Sequence, residues 1–203
     1  MKSNKNDFIK TILQFVLLFG TVLIATLLIM RFVISKDVVQ GPSMEPGLES
    51  GDRLISLRLK KPKRNDIVVL YAPKSDNPAP GELYIKRVIG MPGDTVESKN
   101  DKLYVNGKQV KQNYLSQKFI KQELQESATE QGVDVNDLKF TGDFSLKTLA
   151  STHRATVPAG EYFVMGDNRY VSHDGRAFGF IPKSEIQSVV GLRYWPLSKI
   201  KFY

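Results

Sequence analysis

The sequence predicts a mostly β fold: an antiparallel β-sheet domain with a small inserted lobe, preceded by one N-terminal transmembrane helix. Three observations predict it. Twenty consecutive uncharged residues lie between Lys10 and Arg31. Beyond them, short runs rich in Val, Ile, Leu and Tyr recur about every eight to twelve residues, separated by Gly, Pro and Asn turn signals. No helical pattern interrupts these runs until about residue 119, as expected for strands that pair with near neighbours.

The expected organisation is a short N-terminus (1–10), an anchor (11–34), a β-domain built from 35–96 and 154–203, and an insertion or second lobe (97–153). With 41% hydrophobic and 25% charged residues, the chain of 203 has enough apolar content for a core. There are no cysteines, which excludes disulfides, thiolate catalysis and Cys-based metal centres. The formal charge of +8 suits an anionic partner, nucleic acid or an acidic lipid surface.

The anchor decides between those partners. The run TILQFVLLFGTVLIATLLIM spans roughly 30 Å as a helix, the thickness of a bilayer's hydrocarbon core. A cleavable signal peptide shares the basic start and apolar stretch. Against that alternative, the run is long for such a peptide and RFVISKDVVQ after it has no small-x-small cleavage site. Lys2, Lys5, Lys10 and the amino terminus outweigh Arg31 and Lys36, which favours an N-terminus in the cytoplasm and the rest of the chain outside. Membrane lipid is then the expected contact and nucleic acid is not.

After the anchor, strands are expected at 37–40, 52–59, 66–72, 83–90, 95–99, 102–106, 154–158, 161–166 and 188–197. Pro46-Gly47, Pro80-Gly81, Pro92-Gly93-Asp94 and Pro158-Ala159-Gly160 mark turns between them. In KLYVNGKQV, Asn106-Gly107 predicts a type I′ hairpin. Within the polar stretch from Val110 to Thr152, residues 119–132 form a helix candidate that Gly132 would end.

The chemistry narrows by elimination. A Ser-His-Asp triad needs an imidazole, and the two histidines, His153 and His173, both sit in polar segments. No H-E-x-x-H pattern offers a zinc site, and no metal or other cofactor is expected. A serine can instead be activated by a lysine whose charge is suppressed by burial. Lys86 is the best such lysine, because strand alternation in LYIKRVIG puts it on one face with Tyr84 and Val88, opposite Ile85, Arg87 and Ile89. Ser43, in GPSMEPG, is the candidate nucleophile. Taken alone, each has a plain reading, a turn hydroxyl and an exposed lysine.

Their joint context is more specific. SMEP at 43–46, GDR at 51–53, YIKRVIGMPGD at 84–94 and GDNRYVSHDGRAFG at 166–179 follow a single N-terminal anchor. In order and spacing the chain resembles the bacterial type I signal peptidases, in particular their Gram-positive members, over essentially residues 8–197.

That resemblance implies a serine/lysine protease that cuts signal peptides from secretory preproteins with small residues at positions −1 and −3. It makes Ser43 the nucleophile and its backbone N–H an oxyanion donor, Lys86 the general base, and Ser172 the hydroxyl that orients the lysine. Asp174 and Arg176, with Arg87, would brace the site. Gly41 stands where some members carry a serine that adds a second oxyanion donor. Gly47 stands where threonine is usual, which predicts a looser loop. Strands 37–40 and 83–86 would offer edges to an extended substrate, with Val39, Leu48, Tyr84 and Ile85 as pocket walls. FGFI (178–181) and RYWPL (193–197) would reach toward the lipid. The same residues leave open a catalytically silent, membrane-anchored peptide-binding β-domain. A self-cleaving repressor-type protease is a further alternative, but the anchor occupies the place of its DNA-binding segment.

Overall fold

The computed structural model describes residues 3–203, with side chains from Asp7 onward; Met1, Lys2 and the Lys5 side chain, part of the expected charge bias, lie outside the described residues. Helix α1 (Ser3–Phe32) contains a 26-residue apolar segment, Asp7–Phe32, of mean hydropathy 2.6 with none of it buried by the protein. Such a surface needs an apolar surrounding of another kind. The hydroxyls of Thr11, Thr21 and Thr26 donate to Asp7 O, Leu17 O and Val22 O, so these polar side chains are satisfied within the helix. The helix ends at Phe32, not near Ile34 as expected, because Ile34 is already paired in the sheet.

In chain order the strands and further helices are β1 (Ile34–Val38), β2 (Arg53–Leu57), β3 (Ile67–Tyr71), β4 (Leu83–Gly90), β5 (Val96–Lys99), β6 (Lys102–Val105), β7 (Lys108–Gln109), α2 (Gln117–Gln131), β8 (Phe144–Ser145), β9 (Glu161–Met165), α3 (Gly175–Phe178), β10 (Ile181–Pro182), β11 (Ile186–Trp195) and β12 (Lys201–Phe202). All pairings are antiparallel. The main sheet runs β1-β2-β11-β3-β4-β9-β10, with β12 also on β11, and a smaller sheet runs β7-β6-β5-β8.

The hairpin forms as the sequence predicts, with Asn106 and Gly107 both at positive φ. Ser116 caps α2 by accepting the Phe119 N–H, and Gly132 ends it in the left-handed region. The expected strand at 154–158 does not form. Val157 exchanges backbone bonds with Gly93 and Asp94, but the Arg154 N–H turns to Leu146 O and Pro158 lacks the N–H to continue the ladder.

Leu103, Val105 and Leu146 of the inserted region share one buried cluster with Val96 at its edge and with Ile89, Phe163 and Met165 of the main sheet. The two sheets therefore close on a common core. Where they meet, β4 carries a register shift between Val88 and Gly90. A Cβ on Gly90 would lie 2.9 Å from side-chain carbons of both Val96 and Val157, so only glycine allows that approach.

Candidate active site

The turn after β1 presents Ser43. Gly41, at φ +77°, lets the chain reverse. Two backbone bonds, Glu45 N–H to Pro42 O and Leu48 N–H to Met44 O, then close the loop. Met44 and Leu48 insert into the core beside Val39, Leu54 and Ile67, which fixes the loop from below and leaves Ser43 half-buried. The Ser43 carbonyl accepts the Asn168 N–H, while its own N–H meets no acceptor among the described residues.

From β4, Lys86 reaches the same point. Its Nζ lies 3.0 Å from Ser43 Oγ, a bond between residues 43 apart in sequence. Lys86 is only 5% exposed, and burial is the main reason its pKa falls to about 8. The nearby Arg176 charge pushes the same way, while Asp174 and Asp167 oppose it. The Nζ also lies 5.5 Å from the ring centre of Tyr84 on the same strand face.

A frame of charged residues surrounds the pair. Arg87, next to Lys86 but on the opposite face, holds Asp167 through two bonds of 2.7 and 2.5 Å. Asp174 accepts the Gly166 N–H at 2.9 Å and two bonds from the Arg176 guanidinium. Gly166 lets these parts meet, since a Cβ there would lie 2.1 Å from Ser172 Oγ and 2.5 Å from Ser43 O. Among the described residues no cluster of three or more His, Asp or Glu could hold a metal ion. The arrangement can carry out serine acyl transfer with an amine base.

The family pattern described as "Signal peptidase, peptidase S26" matches residues 12–195, nearly the whole chain. The chain belongs to the signal peptidase family. It is 43% identical over 175 residues to signal peptidase I of Bacillus caldolyticus, covering 84% of this chain and 85% of that one. It is 35% identical over 199 residues to signal peptidase IB of Staphylococcus aureus strain MRSA252, covering 95% and 94%. The crystal structure of a signal peptidase I from Enterococcus faecalis V583 is 38% identical and superposes with a TM-score of 0.50, covering 64% of this chain and 97% of that one. Members of this family are serine endopeptidases that cleave signal peptides from preproteins.

Within this signal peptidase fold the expected site residues separate into three groups. Ser43 and Lys86 meet directly. Ser172 lies against Gly166 beside the Ser43 carbonyl, but its buried hydroxyl makes no hydrogen bond, so the expected bond to Lys86 is not formed. Arg87 does not join Asp174 and Arg176: it is paired with Asp167, because it leaves β4 on the other side from Lys86.

Two substrate-wall expectations are corrected. Val39 (2% exposed) and Leu48 (0%) are core residues under the nucleophile loop and do not line the groove beside it. Tyr84 and Ile85, with Val38, Gln40 and Leu83, do line a groove of about 550 Å³. It lies beside β1, which pairs only with β2, and beside residues 83–86 of β4, which pair with β9 only from Arg87 onward.

Gly47 does not loosen its loop. A Cβ there would sit 2.8 Å from Asp167 Oδ2, and the Gly47 carbonyl accepts from both Arg193 and the Tyr203 hydroxyl. FGFI is likewise not at the surface: Phe178 and Phe180 pack on core clusters and Ile181 is buried, whereas Trp195 is 46% exposed. Sequence reasoning missed Met44 as the loop's anchor and Asp167 as the partner of Arg87. Both fall inside the motifs already singled out, one beside the nucleophile and one after Gly166.

Proposed function

We propose that this chain is a membrane-anchored endopeptidase that removes N-terminal signal peptides from secreted preproteins at the outer face of the cytoplasmic membrane, with Ser43 as nucleophile and neutral Lys86 as general base. The observation that carries the assignment is the 3.0 Å contact between Ser43 Oγ and a buried lysine whose pKa is lowered to about 8.

In the reactive form Lys86 Nζ is neutral, and the Ser43 hydroxyl donates to it. As Oγ bonds to the scissile carbonyl carbon, the proton passes to Nζ, and the resulting oxyanion accepts the free Ser43 N–H. The Lys86 ammonium then protonates the departing amine. The neutral amine takes a proton from water, which attacks the acyl-enzyme; the Lys86 ammonium then returns that proton to the departing Ser43 Oγ as the signal peptide's new C-terminus is released. Ser172 is assigned as a positioning residue for the lysine amine, with a buried hydroxyl beside Gly166 that no other group among the described residues engages.

The substrate backbone pairs with the free edges of β1 and of residues 83–86, and the shallow groove before Tyr84 and Ile85 accepts small residues at −1 and −3. The apolar α1 and the exposed Leu59, Trp195 and Phe202 support contact with lipid. Lys2, Lys5, Lys10 and the amino terminus ahead of the span outweigh Arg31 and Lys36 after it, which supports a cytoplasmic N-terminus.

The test compares wild type, Ser43→Ala and Lys86→Ala on a secretory preprotein in detergent or proteoliposomes. Both variants are expected to lose processing by roughly three orders of magnitude or more. Cleavage at wild-type rate by either one would sink the mechanism.

A further inference from the structure

The inserted region is joined to the nucleophile by a clasp of three consecutive residues. Asn168 is 1% exposed; its backbone N–H donates to Ser43 O at 3.1 Å and its side-chain amide donates to Glu123 Oε2 of α2 at 2.7 Å. Its Oδ1 accepts the Tyr170 N–H, so both ends of the amide are engaged. Arg169, fully buried, bonds Gly166 O on one side and Gln112, Tyr114 and Thr141 of the inserted region on the other. The Tyr170 hydroxyl accepts from Gln131 near the end of α2.

A second path runs beside the first. The Tyr114 ring lies 3.9 Å from the Arg87 guanidinium, and Arg87 holds the Asp167 carboxylate that abuts Gly47. The inserted region thus reaches the nucleophile loop at both Ser43 and Gly47.

Resting on the catalytic reading above, we propose that Glu123 is a positioning residue for the reaction: from the inserted lobe it fixes the Asn168 amide, and through the Asn168 N–H it fixes the peptide plane of Ser43. The carbonyl at 43 and the Ser43 Oγ belong to one residue, so a shift of that plane moves the hydroxyl relative to Lys86 and to the scissile carbonyl. Glu123 touches neither substrate nor reacting atoms in this role. It acts as a hydrogen-bond acceptor, and Gln in its place keeps an oxygen for the same bond. Glu45, across a cleft of about 290 Å³ lined also by Pro46, Phe119 and Glu123, supplies the competing explanation, a charge effect on the loop.

The experiment measures kcat and KM on a signal-peptide substrate for the full-length protein carrying Glu123→Ala, Glu123→Gln or, as a control on the same helix, Glu130→Ala. Glu123→Ala should lower kcat about tenfold with KM within twofold, the kinetic equivalent of losing one hydrogen bond that holds the nucleophile in place. Glu123→Gln should recover most of that loss, Glu130→Ala should match wild type, and the midpoint of the pH profile should stay near that of wild type. The proposal is overturned if kcat of Glu123→Ala stays within twofold of wild type, or if KM rises alone. It is equally overturned if the Gln variant is as impaired as Ala or if the pH midpoint moves, since either would mean that the charge itself acts. Should Glu123→Ala not fold, Glu123→Met, which keeps the bulk without an oxygen acceptor, takes its place with the same expected loss and the same overturning result. Ser43→Ala, run alongside, separates the two readings: its full activity would remove the mechanism, whereas its inactivity with a normal Glu123→Ala would remove this inference alone.

Discussion

The two faces of β4 carry adjacent basic residues at almost the same depth, Lys86 at 5% exposure and Arg87 at 6%, with opposite outcomes. On one face Lys86 meets a neutral hydroxyl, and burial lowers its pKa. On the other, Arg87 meets the Asp167 carboxylate in a two-bond pair and its pKa is raised, despite a burial that works against it. Depth alone therefore does not decide which buried base keeps its proton; the partner and the guanidinium's own high basicity do. One strand supplies both a base that can change charge and a structural cation that cannot.

The sharpest way to break this contrast is Lys86→Arg. A guanidinium is protonated at any accessible pH, so the variant should lose at least roughly 10³-fold in turnover while remaining folded by circular dichroism. Measurable cleavage near the wild-type rate would mean that neutrality at this position is not needed. On the opposite face, Asp167→Ala leaves Arg87 buried without its carboxylate. The loss expected in chemical denaturation is about 3–5 kcal/mol, the range for removing one partner of a buried pair.

The smallest effect concerns pH. With Lys86 at about 8, its neutral fraction falls roughly tenfold for each unit below that value, so kcat/KM should rise with pH and level off above about 8. A profile flat from pH 6 to 9 would contradict the assignment. The sign for folding is the same: an unfolded lysine binds its proton up to about 10.5, so between about 8 and that value the native state gains stability as pH rises.

Much of this was legible in the chain. The length of the apolar run specifies α1, the Asn-Gly pair specifies its hairpin, and the motifs around Ser43 and Lys86 bring the right chemical types together. What sequence could not show is which charge faces which. Arg87 lies 80 residues before Asp167 and a similar stretch before Asp174, so distance along the chain does not choose its partner; the alternation of β4 against the loop after β9 does. Gly47 reads as slack in a list of residue types, but in space it is the one residue that fits between Met44 O and Asp167. The broken strand at 154–158 depends on Pro158 meeting a ladder at its end, a matter of register. Val39 and Leu48 are apolar residues beside the nucleophile, and whether they floor a pocket or fill a core is set by the side chains that close over them.

One joint has a reach beyond its own contacts. Between the last residue of α1, Phe32, and the first of β1, Ile34, there is a single residue, Val33, whose N–H bonds Ile29 O in the helix and whose carbonyl accepts the Arg58 N–H from the end of β2. Helix and sheet are spliced with no tether between them. On the proposed reading, this joint makes the height of Ser43 above the bilayer a ruler built into the fold. A signal peptide whose apolar segment is too short or too long would bring its cleavage site to the wrong mark, and no slack in the protein would make up the difference.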